Sequence, residues 1–259
     1  MICVSIGRAR HKHTIAEHKH LVEQGFPLVE LRLDYIRTDV DLPRLLKDKP
    51  GPVIVTCRRP EDGGMWRRGE EARLMTLRTA IVSGAEYVDL EEDVAATIPR
   101  FGDTKRIVSM HDFEGTPDNL EEIHARLAKL DPDVIKICTM ANSPQDVLRM
   151  FQMLEKVKGT IPTIGLCMGD IGTPTRILAG KFGSPWTYTS FSKERQLAPG
   201  LIHCKEMREL YRYNSIDEDT EAFAVIADPV GHSLSPLIHN SAFARLDMNR
   251  VYFPMRLPQ

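Results

Sequence analysis

The sequence is short of several features that would set its class at once. Its 259 residues contain no apolar run near the ~20 residues needed to cross a bilayer, and no G-x-G-x-x-G marks a dinucleotide-binding turn. Cysteine is scarce. Cys3, Cys57, Cys138, Cys167 and Cys204 are odd in number and scattered, with no C-x-x-C. That is the pattern of reduced thiols, not of a disulfide framework. Neither sign of charge is in excess: 34 Lys plus Arg stand against 36 Asp plus Glu, a net charge of -2. Bulk electrostatics therefore predict no nucleic-acid partner and no membrane surface. The opening MICVSIGRARHKH lacks a basic stretch leading into a long apolar one, so no secretory signal is expected, and a cytoplasmic location is. His11, His13, His18 and His20 form an H-x-H…H-x-H pattern, but no cysteine or carboxylate stands at metal-ligand spacing. They read as an exposed polar loop and helix face, and no metal site is expected.

What is present is globular. Hydrophobic residues are 42 % and charged residues 27 %, which excludes disordered, collagen-like and coiled-coil chains. Length suits one large domain, or one plus part of a second. Short β-branched runs recur at 2–6, 28–36, 53–58, 87–91, 106–112, 134–140, 163–168 and 186–190. Segments of helical periodicity separate them, such as Leu74, Leu77, Ile81 and Val82. Ser143–Pro144 reads as a helix start, and Gly25 and Gly84 as helix ends. Alternating strand and helix imply a parallel sheet with crossover helices. Eight such units predict a (β/α)8 TIM barrel, with a doubly wound open sheet as the structural rival.

The pattern changes after Pro199. A helix is expected over 202–213, then a polar, acidic linker, NSIDEDTE, at 214–221. A β-α-β segment follows at 222–259, with strands at 222–227 and 250–255. Such a piece is too small to bury a core of its own. The expected organisation is a barrel at 1–213, a linker at 214–221 and, at 222–259, a partial β-α-β segment of a second α/β domain.

Reactive groups of a βα barrel sit at the C-terminal ends of its strands. Those ends offer Glu30, Arg32 and Asp34; then Arg58, Arg59, Glu61 and Asp62 before Gly63–Gly64; then Asp89, Glu91, His111, Lys136 and Arg176. Lys136 lies inside an apolar run. Burial favours its neutral amine, a nucleophile toward carbonyls. The competing reading is a lysine paired with a buried carboxylate such as Glu91. His111 titrates near neutrality when unperturbed and suits proton transfer. Cys57, Cys138 and Cys167 lie on strand patterns and read as small core residues.

The runs E-L-R-L-D (30–34), T-C-R-R-P-E-D-G-G (56–64), V-S-M-H-D-F (108–113), I-K-I-C-T-M (135–140), G-x-x-T-R-I-L-A-G-x-F-G-S (172–184) and A-P-G (198–200) together resemble type I 3-dehydroquinate dehydratase. The resemblance implies dehydration of 3-dehydroquinate to 3-dehydroshikimate, in the shikimate pathway of aromatic amino-acid biosynthesis, through a lysine Schiff base and with no cofactor. It makes Lys136 the nucleophile and His111 the proton-transfer group. Either Asp62, where the family has glutamate, or Glu61 would orient His111. Arg176 would hold the substrate carboxylate, and Glu30, Arg32 and Arg58 would shape the pocket. Leu197 and Leu201 replace the serine and glutamine that flank A-P-G in the family, with Gln196 beside them as a substitute contact. Relatives of this kind suggest a homodimer. Residues 223–240, FAVIADPVGHSLSPLIHN, resemble the start of shikimate dehydrogenase, whose shikimate-binding serines map to Ser233 and Ser235. In this short segment they read as an inert helix cap, and no dehydrogenase activity is expected. Two other readings of the barrel are another Schiff-base aldolase and a binding protein with weakened turnover.

Overall fold

Parallel strands covered on both faces are continuous apolar runs rather than alternating ones, and the runs in this chain become strands. The computed structural model describes residues 1–192 and 197–258. Eight strands form one sheet: β1 (Ile2–Ile6), β2 (Leu28–Arg32), β3 (Val53–Thr56), β4 (Tyr87–Glu91), β5 (Lys105–Asp112), β6 (Val134–Met140), β7 (Thr163–Met168) and β8 (Thr187–Ser190). Every pairing is parallel, and the order is β7-β6-β5-β4-β3-β2-β1-β8. Sequential order with the last strand beside the first is a nearly closed barrel. A doubly wound sheet would reverse direction part-way across.

The helices are α1 (His11–Glu23), α2 (Leu42–Leu46), α3 (Glu70–Val82), α4 (Glu92–Ala95), α5 (Leu120–Ala128), α6 (Pro144–Val157), α7 (Thr173–Ile177) and α8 (Cys204–Glu209). None is long and apolar enough to cross a membrane. At the start of α6 the Asp146 carboxylate accepts from the Ser143 N–H at 2.8 Å, which satisfies an otherwise orphaned donor. Gly25 and Gly84 follow helix ends at φ +83° and +82°.

Several boundaries differ from expectation. β2 stops at Arg32, and a 3-10 turn covers Leu33–Tyr35. The helix expected over 202–213 shrinks to α8, and Arg212 turns the chain into left-handed backbone at φ +50°. The inner face of α3 is Arg73, Leu77, Ala80 and Ile81, while Val82 is 70 % exposed. This rotation from the apolar face brings an arginine inward. His11 and His18 are buried, against the expected exposed face, because α1 packs them toward the barrel; His13 and His20 are exposed. His11 accepts from the Asp41 N–H at 2.9 Å. Among the described residues no cluster of His, Cys, Asp and Glu could hold a metal ion.

Beyond the barrel lie β9 (Glu221–Ala227), α9 (Ser235–Arg245) and β10 (Arg250–Arg256), with β9 and β10 parallel. β10 seats Val251 and Phe253 in the apolar cluster outside the barrel strands, and Arg256 lies 3.7 Å from Asp170. Ile226, Leu237, Ile238 and Leu246 stay more than half exposed.

One prediction concerns acid stability. Burial pushes the His18 pKa down from 6.5 to about 4, outweighing the pull of Glu86. Between those values the unfolded chain binds the extra proton, so stability falls as pH drops. Urea midpoints should decline from pH 6.5 to about 4, and His18→Gln should flatten part of that slope.

Candidate active site

Alternation along each strand decides which side chains enter the barrel, because positions two apart face the same way. The lowest inward set includes Leu28, Ile54, Ile107, Val134, Ile164 and Trp186, which pack together with Cys3. Two residues further on come Glu30, Thr56, Asp89, Ser109, Lys136 and Tyr188, and two beyond those Arg32, Arg58, Glu91, His111 and Cys138. The barrel is thus an apolar plug beneath a charged floor, open at the C-terminal ends of its strands. A cavity of about 260 Å³ there is lined by Ser5, Glu30, Arg32, Arg58, His111, Lys136, Arg176 and Tyr188, with Leu197–Pro199 and Leu201 along one side. A wider cleft of about 610 Å³, rimmed by Arg8, Arg37, Arg67 and Arg68, shares only Leu197 with it and has no lysine or histidine.

The floor is held by a chain of ion pairs. Lys136 Nζ lies 2.9 Å from Asp89 Oδ2, and Arg58 Nη2 lies 2.8 Å from the same oxygen. Ser109 Oγ donates to Asp89 Oδ1 at 2.6 Å. Arg58 Nη1 also reaches Glu91 at 2.7 Å, and Arg73 binds the other Glu91 oxygen at 2.7 Å. These side chains are nearly dry: Lys136 is 6 % exposed and Asp89 1 %. Lys136 also faces the Tyr188 ring at 4.7 Å.

This network corrects the expected protonation states. Burial, the largest influence, pulls the Lys136 pKa down, but Asp89, Cys138 and Glu30 together outweigh it and leave the ammonium above its ordinary value. Lys136 therefore rests charged, and its partner is Asp89 rather than Glu91. Burial opposes the charge of Asp89 as well, yet Arg58 and Lys136 hold it well below the usual carboxylate range. His111 goes the other way. Burial, then Arg58 and Lys136, push it well below 6.5, so it is a neutral imidazole at pH 7 rather than a group titrating there. Its Nδ1 is buried without a hydrogen-bond partner among the described residues.

Arg176 owes its place to the barrel seam. β7 and β8 are the two ends of the ladder, and α7 bridges them. Thr175 Oγ1 accepts from the Cys167 N–H at 2.9 Å, and Thr187 Oγ1 donates to the Arg176 carbonyl at 2.9 Å. Arg176 is 3 % exposed, and among the described residues its guanidinium hydrogen-bonds to the Pro199 carbonyl, at 3.4 Å. Among the described residues it has no carboxylate partner. A buried cation left in that state is a receptor for an anion.

Comparison with known proteins decides the family. The family model described as type I 3-dehydroquinase matches residues 2–218. A 3-dehydroquinate dehydratase of Methanocaldococcus jannaschii is 36 % identical over 71 % of this chain and 86 % of its own length. The chain belongs to the type I 3-dehydroquinases. Within that family, the structure of the 3-dehydroquinate dehydratase from Geobacillus kaustophilus superposes with a TM-score of 0.72 at 26 % identity, covering 80 % of this chain and 88 % of that one. A second family model, the shikimate dehydrogenase substrate binding domain, matches residues 225–259 at the C-terminal end. A bifunctional 3-dehydroquinate dehydratase/shikimate dehydrogenase of Arabidopsis thaliana is 35 % identical over 97 % of this chain, which spans 43 % of that relative's length.

Of the side chains singled out for this type I 3-dehydroquinase, Lys136, His111, Arg58, Arg32, Glu30, Arg176 and Asp62 line one cavity. Glu30 is oriented by Ser5 at 2.5 Å and Thr56 at 2.8 Å. Arg32 is held by both oxygens of Asp34 at 2.9 Å. Asp62 does not bond to His111, because its carboxylate pairs with Arg59 at 2.5 Å. Glu61 is exposed and outside the lining. Gln196 lies outside the described residues. Cys138, read as core, lines the cavity, as do Leu197 and Leu201. Ser233 lies apart, in the cleft between α9 and the barrel, and its Oγ accepts from the Ser235 N–H at 3.2 Å; neither serine is the expected cap, because Leu234 holds the N-cap position and Ser235 is the first residue of the helix. The roles of Ser5, Ser109, Tyr188 and Arg73 went unread. The inward period-two positions carry the signal for the first three.

Asp89→Asn should be the most damaging conservative change in the site. It leaves two buried cations under-compensated, and breaking such a pair costs about 3–5 kcal/mol. Urea denaturation at pH 7 checks this against the wild type.

Proposed function

We propose that this chain dehydrates 3-dehydroquinate to 3-dehydroshikimate through an imine on Lys136. The observation that carries the reading is the meeting, in one cavity, of a charged lysine, a neutral histidine and a buried arginine that has no carboxylate partner among the described residues. Arg176 takes the substrate carboxylate, and Glu30, Arg32 and Arg58 meet its hydroxyls. Lys136 gives up its proton, and His111, already in base form, is the group beside it to accept one. The free amine attacks the ketone to give a carbinolamine; His111 returns its proton to the carbinolamine hydroxyl, which leaves as water, giving the iminium and a neutral His111. That cation is an electron sink which acidifies the adjacent C–H. His111 removes this proton and returns one to the departing hydroxyl, so the C–O bond breaks as water leaves. Hydrolysis releases product and restores Lys136. The route uses no metal or redox partner, since the iminium supplies the electron sink.

The chain reads as a catalytic barrel at 1–213, a linker at 214–221 and a dehydrogenase-like segment at 222–259. A cytoplasmic homodimer belongs to the same reading. Asp62 serves His111 only if Arg59 releases it, and Glu61 only if its loop turns inward. A second reading, a binding protein with weakened turnover, draws on Leu197 and Leu201, which put apolar surface into the cavity.

Borohydride trapping with 3-dehydroquinate separates the two. Peptide mass spectrometry should find a reduced substrate adduct on Lys136, and Lys136→Met should lose both adduct and turnover. A folded wild type that binds substrate without an adduct or turnover is the second reading. His111→Ala should still form some adduct while kcat falls about 10²–10⁴-fold, the usual contribution of a positioned acid–base group. Unchanged kcat would remove His111 from the mechanism.

A further inference from the structure

We propose that Arg73, a side chain on α3 outside the cavity lining, is a positioning residue for the reaction; the inference rests on the function proposed above. Arg73 is fully buried. Its fork holds both oxygens of Glu70, at 2.8 and 2.7 Å. On its other side, Nη1 donates to Glu91 at 2.7 Å and to the Cys57 carbonyl at 2.9 Å. Arg73 thus grips Arg58 twice, once through the peptide that precedes it and once through its carboxylate partner. Arg58 in turn shares Asp89 with Lys136.

Packing alone does not account for a guanidinium here. An apolar side chain fills a buried gap between helix and strand as well as an ion pair does. Without Arg73, Glu91 has Arg58 as its remaining cation. Arg58 is then drawn toward Glu91 and away from Asp89, and Asp89 leans more heavily on Lys136. Among the described residues the charged or titratable groups acting on Lys136 include Asp89, Arg58, Glu30, Cys138, Cys3, His111 and Tyr188. None is on α3, so an effect of Arg73 passes through Glu91 and Arg58.

The test uses the full chain with Arg73→Met, Arg73→Lys and Glu70→Gln. Two quantities are read: steady-state kcat and KM with 3-dehydroquinate, and the pH midpoint for carbamylation of Lys136 by cyanate, followed by peptide mass spectrometry without substrate. Arg73→Met should raise KM, lower kcat at pH 7 about tenfold and move the midpoint upward, since one pH unit is a factor of ten in free amine. Arg73→Lys, which keeps the charge without the fork, should fall between. Glu70→Gln, which trims only the outer grip, should stay within about twofold of wild type. Folded Arg73 variants with kcat, KM and midpoint unchanged would overturn the proposal. So would a Glu70→Gln loss equal to that of Arg73→Met. If Arg73→Met does not fold, Arg73→Lys decides by the same readouts. An inactive wild type would overturn the proposed function but leave the carbamylation test standing.

Discussion

A lysine ammonium set on the floor of a barrel must find a counter-charge, and the rest of the site follows from the one it finds. Asp89 is nearly dry and shared between Lys136 and Arg58. Two cations on one carboxylate leave local positive charge. Glu91 offsets part of it, and Glu91 in turn is shared with Arg73. The same positive field that lets Asp89 stay ionised suppresses the proton on His111. Acid and base are thereby sorted before any substrate is bound: the lysine carries a proton and the histidine is empty. Pairs of titratable groups pushed apart in this way are the usual mark of an acid–base site.

The barrel supplies this arrangement through register. Ser109 stands opposite Lys136, and His111 opposite Cys138, in the β5–β6 ladder. Two side chains from one strand and two from the next are thus stacked in two tiers at the same mouth. Glu30, pinned between Ser5 and Thr56, shows the same device across β1, β2 and β3.

The fold was largely legible, because strands buried on both faces write themselves as β-branched runs of definite length. The place of Lys136 and His111 in the cavity was legible for the same reason: a titratable residue inside such a run has few explanations. Their protonation states were not. Burial alone points Lys136 toward the neutral amine, and it takes Asp89 together with Cys138 and Glu30, gathered from other strands and its own, to reverse the sign. Arg73 was invisible because an arginine in a helical pattern reads as solvated until the helix rotation is known. Which carboxylate orients His111 was not legible, because Arg59, three residues from Asp62, competes for its carboxylate.

The seam between β7 and β8 gives the barrel wall a mechanical character. Elsewhere the wall is a hoop tied by ladder hydrogen bonds; between its two ends it is buckled by α7 through the hydroxyls of Thr175 and Thr187. A hoop fastened at one buckle yields there first. Arg176, a cation with no carboxylate partner among the described residues, rides on the buckle. A pull on Arg176 is therefore a pull on the clasp of the barrel.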